Sequence, residues 1–580
     1  LGELMKAILR DEEIERQIIA QLQTYRDSVK QFRETSKLKD TWDNGYKLYK
    51  NMPLPYVEKE DWEANICLPY AHQYVETIVP RLIHAIKSVY PLFDITSEYP
   101  GWDRRADIAE RYLNSILFSN DYDENLSNIV KYALCFGTAL PKYRVSRQYG
   151  RTMITPEHTD IYDVGIDPGA KDVQGAIYAY HDVYKPVFHM MRMADEGVYN
   201  QKQITRILED GDPQWGITPA NLERLALIGL APTSWTNDRV KISEWYLTLK
   251  EPTTGKYQEV MLTVANEKYI IRAEDKNPFG IIPFERVVLI PFPDEFYGQS
   301  IPQIIEDLIY EANEKRNQVL DANNMMINPI YLALEDGIGG EGEQRDIGLT
   351  PGEIVTVRQP GAIAPMQQNF AALHAGYQDL AVTDQNIKDA VGVQDYNRGM
   401  PTDGDSTATE VVSLINEGNM RFLMMIMWLE NAMKKMGKNS LRLMKMNMQE
   451  TESFLFVRET NRSGMPQVVK EFGTLSRDDI YYDMDIKCMA AAAYSQRAID
   501  AQNTMQFAQI ILKDPEAAEL VSKTKLYKMM ARSLNIRDLS FFKNESDKLP
   551  DQIDPQTMMR MLNANGGPMG GQPEKLQGVA

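Results

Sequence analysis

Gly392-Val393-Gln394-Asp395-Tyr396-Asn397-Arg398-Gly399-Met400-Pro401-Thr402-Asp403-Gly404-Asp405-Ser406-Thr407-Ala408-Thr409-Glu410-Val411 is the stretch on which the reading of this chain turns. Residues 392–406 are polar and glycine-rich, which makes them a loop. Thr407 with Glu410 forms a capping box. Behind it Val411, Leu414, Ile415, Phe422, Met425, Ile426 and Leu429 recur at helical spacing, so a long helix is predicted to residue 448. At 1.5 Å per residue it is on the order of 60 Å long, enough to span a domain. Gly418 and Gly437 are its candidate bend points.

Upstream of the loop, Leu373, Tyr377, Leu380, Ile387 and Val391 predict a helix over 366–391. A partner helix is predicted to start at Ser300-Ile301-Pro302-Gln303, a capping box with proline in the first turn. It runs to 326 with Ile304, Leu308, Ala312 and Val319 on one stripe. Between the two helices lie short strands and Gly/Pro turns, as in Pro329-Ile330-Tyr331-Leu332 and Glu353-Ile354-Val355-Thr356-Val357.

The N-terminal half mixes elements. Residues 3–38 read as one polar amphipathic helix through Leu4, Ile8, Ile14, Ile18, Leu22 and Tyr25. Helices are also expected over 70–90, where Pro80 should kink the chain, and over Arg104–Phe118 and Leu126–Cys135. From Gly137 to 295 the texture becomes α+β: strands at Ala139–Val145, Ala176–Val183, Val240–Leu249 and Gln258–Val264, with a helical insert over 186–230. Past the long helix, strands are expected at Ser453–Val457, Gln467–Glu471 and Tyr481–Lys487, then helices over 494–545. The Gly/Pro-rich end from Asn563 is expected to be disordered by itself. Because the numbering opens on Leu1, an initiator segment is expected ahead of it.

Composition narrows the chemistry. In the 580 residues, 63 Lys and Arg face 82 Asp and Glu, a formal charge of −19. That balance argues against tight nucleic-acid binding, which needs clustered cations, but not against a protein past which DNA slides. Cys67, Cys135 and Cys488 are too far apart for a CxxC site or a disulfide framework, which suits reducing cytosol. No apolar run is long enough for a membrane helix. The six histidines, His72, His84, His158, His181, His189 and His374, show no metal-ligand spacing and read as structural. No phosphate-binding loop, nucleophile elbow or dinucleotide fingerprint occurs. Asp403-Gly404-Asp405 could hold a divalent cation; a turn before a helix N-terminus, which favours acids, accounts for it better. The many methionines between Met420 and Met448 read first as core, and second as an adaptable subunit contact.

The order helix, small insert, helix, polar loop, long helix resembles the portal family of tailed bacteriophages. Phe296-Tyr297-Gly298-Gln299-Ser300 carries the likeness, together with Asn313, Asn317, Asp321 and Asn328-Pro329. So do Pro351-Gly352-Glu353-Ile354-Val355, Pro360-Gly361-Ala362-Ile363 and the 399–411 junction. Upstream, Ile166-Asp167-Pro168 and Ile282-Pro283-Phe284 fit as well. The resemblance implies an α+β, mostly helical portal-type fold with wing, stem, clip and crown, assembled as a ring of the dodecameric kind. By analogy the wing is 1–298 with the long helix and returning strands at 407–490. The stem is 299–326 and 366–391, the clip 327–365, the tunnel loop 392–406, the crown 491–545 and the C-terminal tail 546–580.

The same likeness implies a structural, non-enzymatic role without cofactor: a channel for double-stranded DNA in packaging and ejection. It implies a place at one capsid vertex of the virion, after assembly in the host cytoplasm. The implied partners are further copies of the chain, the major capsid protein, the terminase large subunit and then neck or adaptor proteins, with no membrane. Gln394, Asp395, Tyr396, Asn397 and Arg398 are the expected DNA-facing residues, with Tyr396, Asn397 and Arg398 at the narrowest point. Lys315, Arg316 and Lys388 are the candidate basic residues of the stem; Gly337, Gly340, Glu341, Glu343 and Arg345 are the candidate adaptor contacts of the clip. The alternatives are another ring, neck or capsid component, or a metal-dependent nuclease built on Asp403 and Asp405, which no second acidic cluster completes.

Overall fold

The structure, a computed structural model, describes residues 3–52, 63–87, 92–96, 103–116, 120–148, 151–209, 239–250, 255, 257–327, 331–333, 363–365, 370–393, 408–462, 465–480 and 485–488. Helices and strands are both abundant. Residues Leu1–Val457 with Lys470–Ala491 form one compact unit, and Arg458–Val469 with Ala492–Ala580 a second.

The single helix expected over 3–38 is instead broken. Helix α1 is Glu3–Arg10, α2 Glu12–Thr35 and α3 Leu38–Tyr49. Asp11 makes the first break: its extended backbone leaves the helix, and its carboxylate accepts the Glu13 N–H at 2.9 Å. Lys37, at φ 53°, makes the second. Periodicity carries no mark of either, because apolar spacing continues across both. Helix α4 (Tyr70–Lys87) runs through Pro80, and α5 (Asp103–Ile116) and α6 (Asn120–Phe136) follow strand β1 (Phe93–Thr96).

Strands β2 (Lys142–Gln148) and β3 (Arg151–Glu157) form a hairpin. Next come β4 (Val164–Ile166), β5 (Tyr178–Pro186), α7 (Val187–Asp195), α8 (Gln201–Glu209), β6 (Arg239–Lys250), β7 (Tyr257–Ala265) and β8 (Tyr269–Glu274). Strands β4 to β8 form one antiparallel sheet in sequence order. Its two faces follow from the two-residue alternation of β6. Trp245, Leu247 and Leu249 pack with Tyr178, Tyr180, Leu262 and Val264 beneath Leu4, Ile8, Ile18 and Leu22 of α1 and α2. Val240 and Ile242, on the opposite face, pack under Met190, Ile204 and Ile207 of α7 and α8.

Helix α9 (Ile301–Ile327) is followed by β9 (Tyr331–Ala333) and β10 (Ile363–Pro365), which pair antiparallel, then α10 (Phe370–Val391) and the long α11 (Ala408–Asn447). The capping box at the start of α9 is present: Gln303 N–H donates to Ser300 Oγ at 3.1 Å, and Ser300 N–H to Gln303 Oε1 at 3.4 Å. Strands β11 (Thr451–Arg462) and β12 (Met465–Ser476) pair with each other and run longer than expected. Strand β13 (Asp485–Cys488) returns to pair with β1, joining Phe93 to Cys488 and Thr96 to Asp485. The segments expected as crown and C-terminal tail lie outside the described residues.

Candidate functional site: the paired helices and their junctions

Helices α9 and α10 pack side by side, and their contact is close. A Cβ built on Gly376 of α10 would lie 3.0 Å from Cγ2 of Val319 in α9. The flanking ties are polar. Lys315 Nζ pairs with Asp379 at 2.6 Å across the helices and with Glu311 one turn back, and lies 3.3 Å from Thr383 Oγ1. Asn323 donates to the Tyr377 hydroxyl at 2.7 Å. Hydrogen bonds to Asp379 and Glu311 hold the lysine's pKa above its ordinary value.

On its other side α9 holds an extended segment by a ladder of side chains. Asp321 accepts the Ala64 N–H at 2.6 Å, Asn317 the Ile66 N–H at 2.8 Å and Asn313 the Leu68 N–H at 2.8 Å. Asn317 also returns a bond to the Ile66 carbonyl at 3.2 Å. The spacing explains why this works. Four helical residues rise about 6 Å, and two extended residues advance about 6.6 Å, so every second amide meets every fourth side chain. Asn313 and Asn317 are buried in the process, and their amides satisfy backbone groups of the extended segment.

The exit of α10 is equally defined. Gly392 adopts φ 77°, and both its N–H and that of Val393 return to the Lys388 carbonyl at 2.8 and 3.2 Å. The carbonyls of Asp389 and Ala390, left over at the helix end, are taken by Arg421 Nη1 of α11 at 2.9 Å each. A cation at a helix C-terminus is favoured by the dipole as well as by these bonds. A Cβ on Gly392 would strike Arg421 Cδ at 2.6 Å, so glycine is needed here for two reasons.

Of the candidate DNA-facing, stem and clip residues, three are described. Lys315 is engaged as above. Lys388 pairs with Asp384 one turn earlier at 2.9 Å, and its side chain is only 12% exposed. Neither is a cation held out for phosphate. Arg316 is half-buried and has no ion-pair partner among the described residues. Gln394 to Arg398, the Asp403–Asp405 pair and the clip residues Gly337, Gly340, Glu341, Glu343 and Arg345 lie outside the described residues. Asp379, Glu311 and Arg421 escaped notice in the sequence because their roles depend on helix register. The exposed row of α9, by contrast, could have been read: Gln303, Asp307, Glu311, Glu314 and Gln318 recur at helical spacing and are uniformly polar or acidic.

The methionines of α11 divide between the two readings. Met425, Met433, Met436 and Met444 are buried, whereas Met420, Met424 and Met427 stand out with Trp428. His181 is a core histidine: burial and Lys142 push its pKa down to about 3, so the ring is neutral. No helix among the described residues is long and apolar enough to cross a membrane.

The site is a closely packed pair of helices, with a glycine at the exit of α10 and a long helix following. The chain belongs to the family described as phage SU10 portal protein, whose model matches residues 140–565, and it has the function of a phage portal, the connector class. No curated protein matches it in sequence. A solved chain described as the neck of an empty GTA particle, computed with C6 symmetry, is similar at 10% identity. That match has a TM-score of 0.34 and covers 80% of this chain and 90% of the other.

Proposed function

We propose that copies of this chain close into a ring, of the dodecameric kind, whose channel passes double-stranded DNA at one capsid vertex of the virion during packaging and ejection. The observation that carries the proposal is the exposed face of α9, where Asp307, Glu311 and Glu314 stand with no free lysine beside them among the described residues, Lys315 being held by Glu311 and Asp379. Every phosphate a protein neutralises adds salt-dependent affinity. A channel wall that spends its lysines on its own carboxylates therefore lets a polyanion move. Residues 394–398 enter from the Gly392 junction as the constriction of that channel. The stem is the α9–α10 pair, and 327–365 forms the clip that meets the terminase large subunit first and neck or adaptor proteins later.

Closure needs two unlike surfaces on each subunit, because a ring interface is heterologous. Met420, Met424, Met427 and Trp428 supply one: an adaptable apolar strip on α11. The wing packs against the major capsid protein, and the chain acts as a structural part, not an enzyme. Electron-microscopy class averages and mass measurement on one purified sample test the reading. A closed ring of about twelve subunits, with an axial hole wider than a duplex of roughly 20 Å (an estimate in keeping with its groove dimensions), is the expected result. A species that stays monomeric in the presence of its capsid protein would overturn it.

A further inference from the structure

Helix α11 meets the sheet side of the molecule through a polar seam. Lys435, Asn439, Arg442 and Met446 lie on one helical stripe. Lys435 pairs with Asp172 at 3.6 Å. Asn439 donates to Glu285 Oε2 at 2.8 Å, and Arg442 donates to the Gly280 carbonyl at 2.8 Å. Met446 lies against Gly280, where an added Cβ would sit 3.0 Å from its Cε. The opposite side of the helix is ordinary core, with Met433, Met436 and Leu441 buried. One side of α11 is thus fixed by packing, and the other by a few polar contacts.

Glu285 is the centre of that seam. It is 2% exposed, and it sits on the segment bridged to β2 by Phe284 with Lys142, and to the residues before β2 by Val287 with Ala139. Its Oε2 also accepts from the Tyr143 hydroxyl of β2 at 3.3 Å. No cation pairs with it among the described residues. Lys435 acts from a distance and is countered by Asp172. Arg286 turns its guanidinium away, to the carbonyls of Phe296 and Glu295 at 2.5 and 2.9 Å. Lys142, on the far side of β2, is paired with Glu244, beside the neutral His181. Beside the seam opens a cavity of about 290 Å³ lined by Tyr246, Glu259, Asn277, Asn439 and Arg442 among others. Water therefore has a way to the joint.

We propose that Glu285 is a proton-operated latch: when protonated it lets α11 close on the sheet module, and when ionised it loosens the seam toward the water of the adjoining cavity. Burial, more than any neighbour, raises its pKa to about 7, with Asp172 adding to the shift and Lys435 and Asn439 opposing it. The sign follows from linkage. In an opened seam the carboxyl returns to the ordinary range near 4.5, so between that pH and 7 the open form gains progressively, and above 7 the gain is complete. Tyr143, pushed well above its ordinary value by burial, stays a phenol throughout. The latch acts within one subunit and needs no ring.

Hydrogen exchange on the full chain at amides 280–287, corrected for intrinsic rates, tests this from pH 5 to pH 8.5. Protection should fall progressively as the pH rises and level off near pH 7, by about a hundredfold across this range, out of the roughly three-hundredfold that a shift of some two and a half pH units sets in full. Glu285→Gln keeps the shape and the Asn439 contact but cannot ionise, so its protection should stay level. Asp172→Asn should keep the transition and bring its levelling-off to lower pH. A wild-type chain without the transition, or a Glu285→Gln chain that retains it, would overturn the latch.

Discussion

The five-stranded sheet and the α9–α10 pair stand at opposite ends of how a protein can hold its elements together. The sheet is sealed on both faces by apolar cores, and even its buried charges are paired. Arg26 of α2 reaches Asp182 with bonds of 2.6 and 2.9 Å, over the rings of Tyr180 and Trp245. That carboxylate is held down at about pKa 2: Arg26, Lys241 and Ser243 overcome the opposing effect of burial. The helix pair has none of this on its outer side. Val382 of α10 is 57% exposed, and α9 shows a row of acids. The ties along its flanks are single polar ones, each worth little compared with a core. A module that must keep its shape is built the first way. A surface that must face water, neighbours or a moving polyanion is built the second.

The comparison can be broken most severely in the sheet. Trp245→Ala removes a side chain 2% exposed that packs on Tyr180 at a ring distance of 4.6 Å. It leaves a cavity under α2, and the cost should be about 3–5 kcal/mol. Denaturant unfolding of the full chain should show the loss, with α1 and α2 losing exchange protection first. A loss under about 1 kcal/mol would mean that the sheet is not the better-cemented region.

The helix pair should respond less. Asn317→Ala deletes both bonds to Ile66 and leaves that amide and carbonyl without their partner. The expected cost is about 1–3 kcal/mol, read as faster exchange at residues 64–68. Asn317→Asp keeps the acceptor for the Ile66 N–H and should restore much of the protection there. If Ala leaves those amides as slow as before, the ladder is not what holds the segment.

How much of this the sequence could show differs between the two regions. Helices α9, α10 and α11 came from apolar periodicity, and the Ser300–Gln303 cap from four adjacent residues, because both signals are local. The pairing of Phe93 with Cys488 joins residues almost four hundred positions apart, and no local signal encodes it. Asn313, Asn317 and Asp321 enter the sequence reading only as residues that carry the portal likeness, because their partner, the extended segment at 64–68, is set by tertiary register. The same blindness applies to Lys315. In the sequence it is a basic residue on a stem helix; in the fold it belongs to Asp379 and Glu311.

That reassignment sets the smallest effect and the finest test. In the proposed channel, Lys315 and Arg316 are sequence neighbours with different commitments. The lysine is bound by two carboxylates, while the arginine has no ion-pair partner among the described residues. For duplex DNA in the proposed ring, each phosphate contact adds nearly one to the slope of log affinity against log salt. Lys315→Gln should leave that slope where it was, and change the melting temperature by no more than about 2 °C, as expected for an exposed pair. Arg316→Gln should reduce the slope if the arginine reaches the channel. Replacing Asp379 and Glu311 together with Asn and Gln should free Lys315 and raise the slope. A lysine variant that lowers the slope by itself would show that the ion pair opens for DNA, and that the acidic row does not keep its cations to itself.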